Sequence, residues 1–150
     1  MSSALRNQKV AIRQGSGSMQ AIAESALKTI LLVDDDLELL GVMAELFEVH
    51  GYATFRASDG QSALDLLRKM TCAPLLIVLD MSMPVLDGRR FLELRAKDPF
   101  LLGIPVVVVS GSDAPESPLT NIKAYLRKPV SINQLIAIVE STSAEPSFLN

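Results

Sequence analysis

Apolar residues along the chain fall into short runs separated by segments of helical period. Thr29 to Val33 (TILLV), Leu75 to Leu79 (LLIVL) and Pro105 to Val109 (PVVVV) are almost unbroken. Runs of this length and branching predict strands buried on both faces, as in parallel sheets. Tyr52 to Ala57 is more alternating, which suits an edge strand, and Ala124 to Leu126 predicts a short fifth strand. Between the first two strands, Leu39, Val42, Met43, Leu46 and Val49 recur at helical spacing before Gly51. A second helix is predicted from about Gln61 to Met70, with Ala63, Leu67 and Met70 on one side. A third follows Asp87-Gly88, bears Phe91, Leu92 and Arg95, and stops at Asp98-Pro99. Ser131-Ile132-Asn133-Gln134 reads as a capping box that opens a last helix, with Leu135, Ile138 and Val139 facing inward.

This alternation predicts an α/β fold with a doubly wound, five-stranded parallel sheet covered on both sides. Right-handed crossovers leave few strand orders, and the flavodoxin-like order 2-1-3-4-5 is the common one. Strands one and three are then neighbours at the switch point, where open sheets of this kind bind ligands. Asp34, Asp35 and Asp36 follow the first strand and Asp80 follows the third. Asp34, Asp35 and Asp80 are therefore expected to meet at one edge.

A chain of 150 residues with 49% apolar composition has room for one well-filled domain and short extensions. We place the domain at residues 28–142, after an N-terminal extension (1–27) and before a tail (143–150). The extension carries Arg6, Lys9 and Arg13, then a linker-like Gly15-Ser16-Gly17-Ser18, and Met19 to Leu27 could form a short helix. The formal charge of −3 gives no general attraction for nucleic acid or anionic membrane. No apolar run is long enough to span a bilayer and no signal-peptide core is evident, so a cytoplasmic setting is expected. Cys72 is the single cysteine, which excludes a disulfide framework and a cysteine metal site. His50, the single histidine, precedes Gly51 and reads as a helix-end or surface residue.

Three converging carboxylates repel one another and tend to take up protons unless a cation joins them. Mg²⁺ suits such a site, because it prefers oxygen ligands and commonly uses one or two carboxylates beside a phosphate oxygen. Asp36 alone needs no more than a helix-capping role. An ionised Asp beside Mg²⁺ can act as a nucleophile toward phosphorus. Phosphoryl transfer otherwise needs alignment and charge cancellation. Lys128, after strand five, can supply a second positive charge, and Ser110, after strand four, a hydrogen bond to a phosphoryl oxygen.

Four ordered motifs carry a family resemblance. Leu31 to Asp36 (LLVDDD), Asp80 to Pro84 (DMSMP) with Asp87-Gly88, Val106 to Gly111 (VVVVSG) and Tyr125 to Pro129 (YLRKP) resemble the receiver domain of two-component response regulators. The likeness spans about residues 28 to 142 and is of the stand-alone, chemotaxis-regulator type. It implies that Asp80 is the phosphoacceptor, charged from a phosphohistidine on a sensor histidine kinase or histidine phosphotransfer domain. It implies Mg²⁺ held by Asp35, Asp80 and the Ser82 carbonyl, with Asp34 acting through a water. It also implies that Lys128 pairs with the phosphoryl group, that the Lys128-Pro129 peptide is cis, and that Ser110 and Tyr125 form a switch pair. The domain would be a switch rather than a metabolic enzyme, catalysing only its own phosphoryl uptake and loss.

One departure stands out. Only seventeen residues separate Ser110 from Lys128 and they include Pro115 and Pro118, so the fourth helix is expected to be about one turn short, or irregular. Two other readings compete. A receiver-like scaffold would bind partners without being phosphorylated. A haloacid dehalogenase-type phosphatase would use Asp34 as nucleophile with Asp36, Ser110 and Lys128, but leaves Asp80 without a role.

Overall fold

The computed structural model describes residues 28–115 and 121–144. Five parallel strands form one sheet in the order β2-β1-β3-β4-β5. They are β1 (Thr29–Val33), β2 (Ala53–Ala57), β3 (Leu76–Asp80), β4 (Val106–Ser110) and β5 (Ile122–Arg127). The helices are α1 (Leu37–Val49), α2 (Gly60–Lys69), α3 (Gly88–Ala96), a single turn α4 (Pro99–Leu102) and α5 (Ile132–Ala144). The doubly wound order expected from the pattern is the one found.

Aspartates start four of the helices. Asp36, Asp59, Asp87 and Asp98 each accept a hydrogen bond from a backbone N–H in the first turn, satisfying a donor that the helix itself cannot. Pro99 thus opens α4 as well as closing the segment before it, since its missing N–H costs nothing at a first helical position. At the far end of α1, His50 is the exposed C-cap and its Nδ1 lies 2.8 Å from the Leu46 carbonyl oxygen. Gly51 follows with φ of +91°.

The three inner strands β1, β3 and β4 are buried along their whole length. Their pleat sorts side chains between two cores. Ile30, Leu32, Leu76, Val78, Val107 and Val109 face α1 and α5. Leu31, Val33, Ile77, Leu79, Val106 and Val108 face α2 and α3. Edge strand β2 alternates more, as its sequence suggested.

Of the apolar residues that recur at helical spacing in α1, Met43 is buried, whereas Val42 and Val49 are 54% and 81% exposed. The buried face is made by Leu40, Met43, Ala44 and Phe47. The helix has more apolar residues than the sheet can cover, and large Leu40 and Phe47 take the central positions. Leu39, Val42 and Leu46 are left to line a cavity on one flank.

The expected fourth helix lies between β4 and β5. Residues 111–115 there are not helical, and 116–120 lie outside the described residues. Helix α5 runs two residues past the expected boundary at 142. The expectations for residues 1–27, including the Met19 to Leu27 helix, and for 145–150 also fall outside the described residues. Among the described residues no helix is long and apolar enough to cross a membrane.

Candidate functional site

The carboxyl ends of β1 and β3 are adjacent, as Val33 pairs with Leu79. Asp34 and Asp80 therefore stand side by side, each only 3% exposed, with exposed Asp35 beside them. Carboxylate oxygens of Asp34, Asp35 and Asp80 lie within 4.8 Å of one another. Asp34 is tied down by its own backbone. Its N–H donates to the Ala57 carbonyl at 3.1 Å, and its Oδ1 accepts from the Asp36 amide at 2.9 Å.

Lys128 completes the cluster from β5. Its Nζ is 3.2 Å from Asp80 Oδ1 and 3.5 Å from Asp34 Oδ2, while its amide donates to the Ser110 carbonyl at 2.7 Å. The Lys128-Pro129 peptide is cis, as the resemblance implied. Burial raises the Asp34 carboxyl above its ordinary value; the Asp36 amide opposes this, the Asp80 charge adds to it, and Lys128 offsets part of it. Burial pulls Lys128 down, but the charges of Asp34 and Asp80 outweigh it and hold the ammonium above its usual range. Two buried acids share one lysine, so the site has negative charge to spare. A hard, oxygen-seeking divalent cation fits that donor set.

Pleat parity divides the remaining residues. Asp34, Asp80 and Lys128 line a cavity of about 540 Å³ that continues between α1 and α5 over Leu39, Val42 and Ile132. Ser110 is buried at the end of β4, one residue beyond the partner of Asp80. It lines a different cavity of about 400 Å³ with Met81, Ser82, Asp87 and Tyr125. There its Oγ accepts from the Ser112 amide at 3.1 Å, and half-buried Tyr125 donates to the Ser112 and Asp113 carbonyls at 3.3 and 3.2 Å. Asp36 borders the first cavity but lies outside the carboxylate cluster, and its side chain caps α1 by accepting from the Leu39 amide at 3.1 Å.

Sequence reasoning missed two residues. Arg127 donates to the Gly111 carbonyl at 3.3 Å and pairs with Asp113, binding the segment after β4 onto β5. Its place beside Lys128 was visible, but its partner depends on a loop path that no periodicity reports. Gly88 was read only as a helix start. A Cβ there would lie 2.7 Å from the Asp80 carbonyl oxygen and from Met81 Cα, so α3 can begin against the end of β3 only with glycine.

The family model for the response regulator receiver domain matches residues 30–140. A polar-differentiation response regulator, DivK, of Brucella anthropi is 30% identical over 118 residues, covering 76% of this chain and 94% of its own. The receiver domain of Francisella response regulator 1452 superposes with a TM-score of 0.69 at 32% identity, covering 77% of this chain and 95% of that one. A CheY-like receiver domain protein of Methanospirillum hungatei gives a TM-score of 0.67 at 26% identity, covering 80% and 99%.

Proposed function

The chain belongs to the response regulator receiver family, and on that premise we propose that it is a phosphorylation-activated switch that accepts a phosphoryl group on Asp80. The donor is a phosphohistidine on a sensor histidine kinase or a histidine phosphotransfer domain. An Asp80 carboxylate oxygen attacks phosphorus, the P–N bond breaks, and the imidazole leaves with the electron pair. The observation that carries this reading is the Lys128 ammonium 3.2 Å from Asp80 at a buried edge. It stands where the charge of the transferred oxygens must be balanced.

Asp35, Asp80 and the Ser82 carbonyl would hold Mg²⁺, with Asp34 reaching it through a water, and the ion would supply positive charge against the carboxylates and phosphoryl oxygens. The chain's own groups do the rest. Asp34 keeps Lys128 oriented, and Lys128 neutralises the incoming oxygens. Ser110, whose Oγ accepts from the Ser112 amide, turns its O–H to donate to a phosphoryl oxygen. Tyr125 then leaves the carbonyls of Ser112 and Asp113, which changes the surface around residues 112–115. Loss of the phosphoryl group is hydrolysis of the same acyl phosphate by water, which open space at Gly111 admits. A cytoplasmic setting suits such a donor.

The test is incubation of the full chain with Mg²⁺ and acetyl phosphate, read by intact mass. The wild type should gain one phosphoryl group and Asp80→Asn none. No gain in the wild type would favour the unphosphorylated scaffold. Phosphorylation of Asp80→Asn but not of Asp34→Asn would favour the phosphatase reading.

A further inference from the structure

We propose that Arg95, acting with Asn121, is a positioning residue for the site: it pins the start of β5 and so holds the register that brings Lys128 to Asp80. The inference rests on the phosphoacceptor reading only for its kinetic readout.

β5 needs such a pin. It is an edge strand paired with β4 alone. Its first four residues are only partly buried, and Leu126 is its one buried side chain. A strand with neither face firmly buried specifies its register weakly. The pairing is also irregular. Val106 faces Ile122, but Val107 faces Ala124, so Lys123 is passed over. Tyr125, Leu126 and Arg127 then fall opposite Val108, Val109 and Ser110. Removing that irregularity would slide the later residues by one place, or about 3.3 Å along the strand. A shift of that size is as long as the Lys128–Asp80 contact itself.

The pin lies on the residue before β5. Arg95 is 0% exposed and shares the buried phase of α3 with Phe91 and Leu92. Its guanidinium donates to the carbonyls of Leu102 at 3.2 Å, Ile104 at 2.8 Å and Asn121 at 3.1 Å. Asn121 has a φ of +55°, and its Nδ2 returns a hydrogen bond to the Leu102 carbonyl at 2.5 Å. Asn tolerates that left-handed backbone better than most residues. Buried Leu101 and Ile104 anchor the other side of the clamp. An apolar side chain at position 95 would fill the space without gripping residue 121. The Arg95 Nη2, by contrast, lies within hydrogen-bond reach of three carbonyls, its two N–H groups shared among them.

The test uses full-length Arg95→Met, Arg95→Lys and Asn121→Gly, the last keeping the left-handed backbone while removing the amide arm. Three quantities are measured on folded protein: Mg²⁺ affinity, the initial rate of phosphorylation by acetyl phosphate at saturating Mg²⁺, and the amide shifts of residues 122–128. Arg95→Met should lower the rate roughly tenfold or more, because a misplacement of about 1 Å can cost on the order of a hundredfold. Mg²⁺ affinity should stay near wild type, since the acids sit on β1 and β3. Arg95→Lys should restore part of the rate. Asn121→Gly should cost about two- to fivefold, the worth of one hydrogen bond. Wild-type rates and unmoved Tyr125 and Lys128 amides in both Arg95→Met and Asn121→Gly would overturn the pin. A parallel fall in Mg²⁺ affinity would overturn it too, as it would mean general damage. If Arg95→Met does not fold, Asn121→Gly decides. If the wild type takes no phosphoryl group, the functional reading falls, while the amide shifts still test the pin.

Discussion

The acids and the cation of this site come from unlike parts of the sheet. Asp34 and Asp80 end strands buried on both faces, where packing leaves no freedom of register. Lys128 follows an edge strand with one buried side chain and an irregular ladder, held at its start by Arg95 and at its end by the hydrogen bond from the Lys128 N–H to the Ser110 carbonyl. The two buried acids are thus part of the core, and the ammonium is brought to them by a less buried edge strand. That division suits a switch. Groups that must keep their geometry sit on the inner strands, and groups that report a change sit where motion costs little.

The largest break in this comparison is Lys128→Met, which removes the ammonium and leaves the acids in place. Phosphorylation by acetyl phosphate should fall roughly a hundredfold, the scale of losing one preorganised charge at a transferring group. Mg²⁺ binding should persist or tighten, because a competing cation is gone. Rate and metal affinity falling together would show that the acids depend on the ammonium after all. Isothermal titration with Mg²⁺ beside initial phosphorylation rates separates the two outcomes.

How much was legible follows the same division. Strand order, the meeting of Asp34, Asp35 and Asp80, and the capping role of Asp36 could be read from apolar runs and the acids that end them. Burial is written along the chain, one residue at a time. The hold of Arg95 on Asn121 could not be read, because it joins residues 26 apart through a carbonyl that any residue type could offer. The Arg127–Asp113 pair was hidden because it depends on the path of the loop after β4. Which face of α1 is buried could not be read, because two overlapping helical phases are both apolar and only packing against the sheet chooses between them. Ser110 and Tyr125 line one cavity, and it is separate from that of the acids, a consequence of pleat parity at the end of β4.

Asp34→Asn sharpens the comparison from the other side. Burial first, and then the Asp80 charge, raise the Asp34 carboxyl, against the Asp36 amide and Lys128. A carboxyl raised on folding binds its proton more tightly in the native state than in the unfolded chain. Without metal, stability should therefore fall as pH rises from the ordinary carboxylate range through the raised value. Asp34→Asn removes that slope and should raise Tm in EDTA at neutral pH by several degrees, 1 kcal/mol being worth roughly 2–8 °C in a domain of this size. In Mg²⁺ the advantage should shrink, because the wild type gains more from the ion. Thermal melts at two pH values, with and without Mg²⁺, check both signs. A lower Tm for the variant in EDTA would mean that the Lys128 pairing outweighs the repulsion.

The smallest effect belongs to the acid that the site does not use. Asp36→Ala removes the α1 cap and should cost about 1 kcal/mol of stability. It should leave phosphorylation and Mg²⁺ affinity near wild type, since the Asp36 carboxylate is engaged with the Leu39 amide outside the acid cluster. Its backbone N–H still reaches Asp34, and alanine keeps that bond available. Denaturant unfolding beside phosphorylation rates tests the separation. If Asp36→Ala slowed phosphoryl uptake as much as Asp34→Asn does, the third acid of the run would be chemical rather than structural, and the edge of the site would have to be redrawn one residue further along the chain.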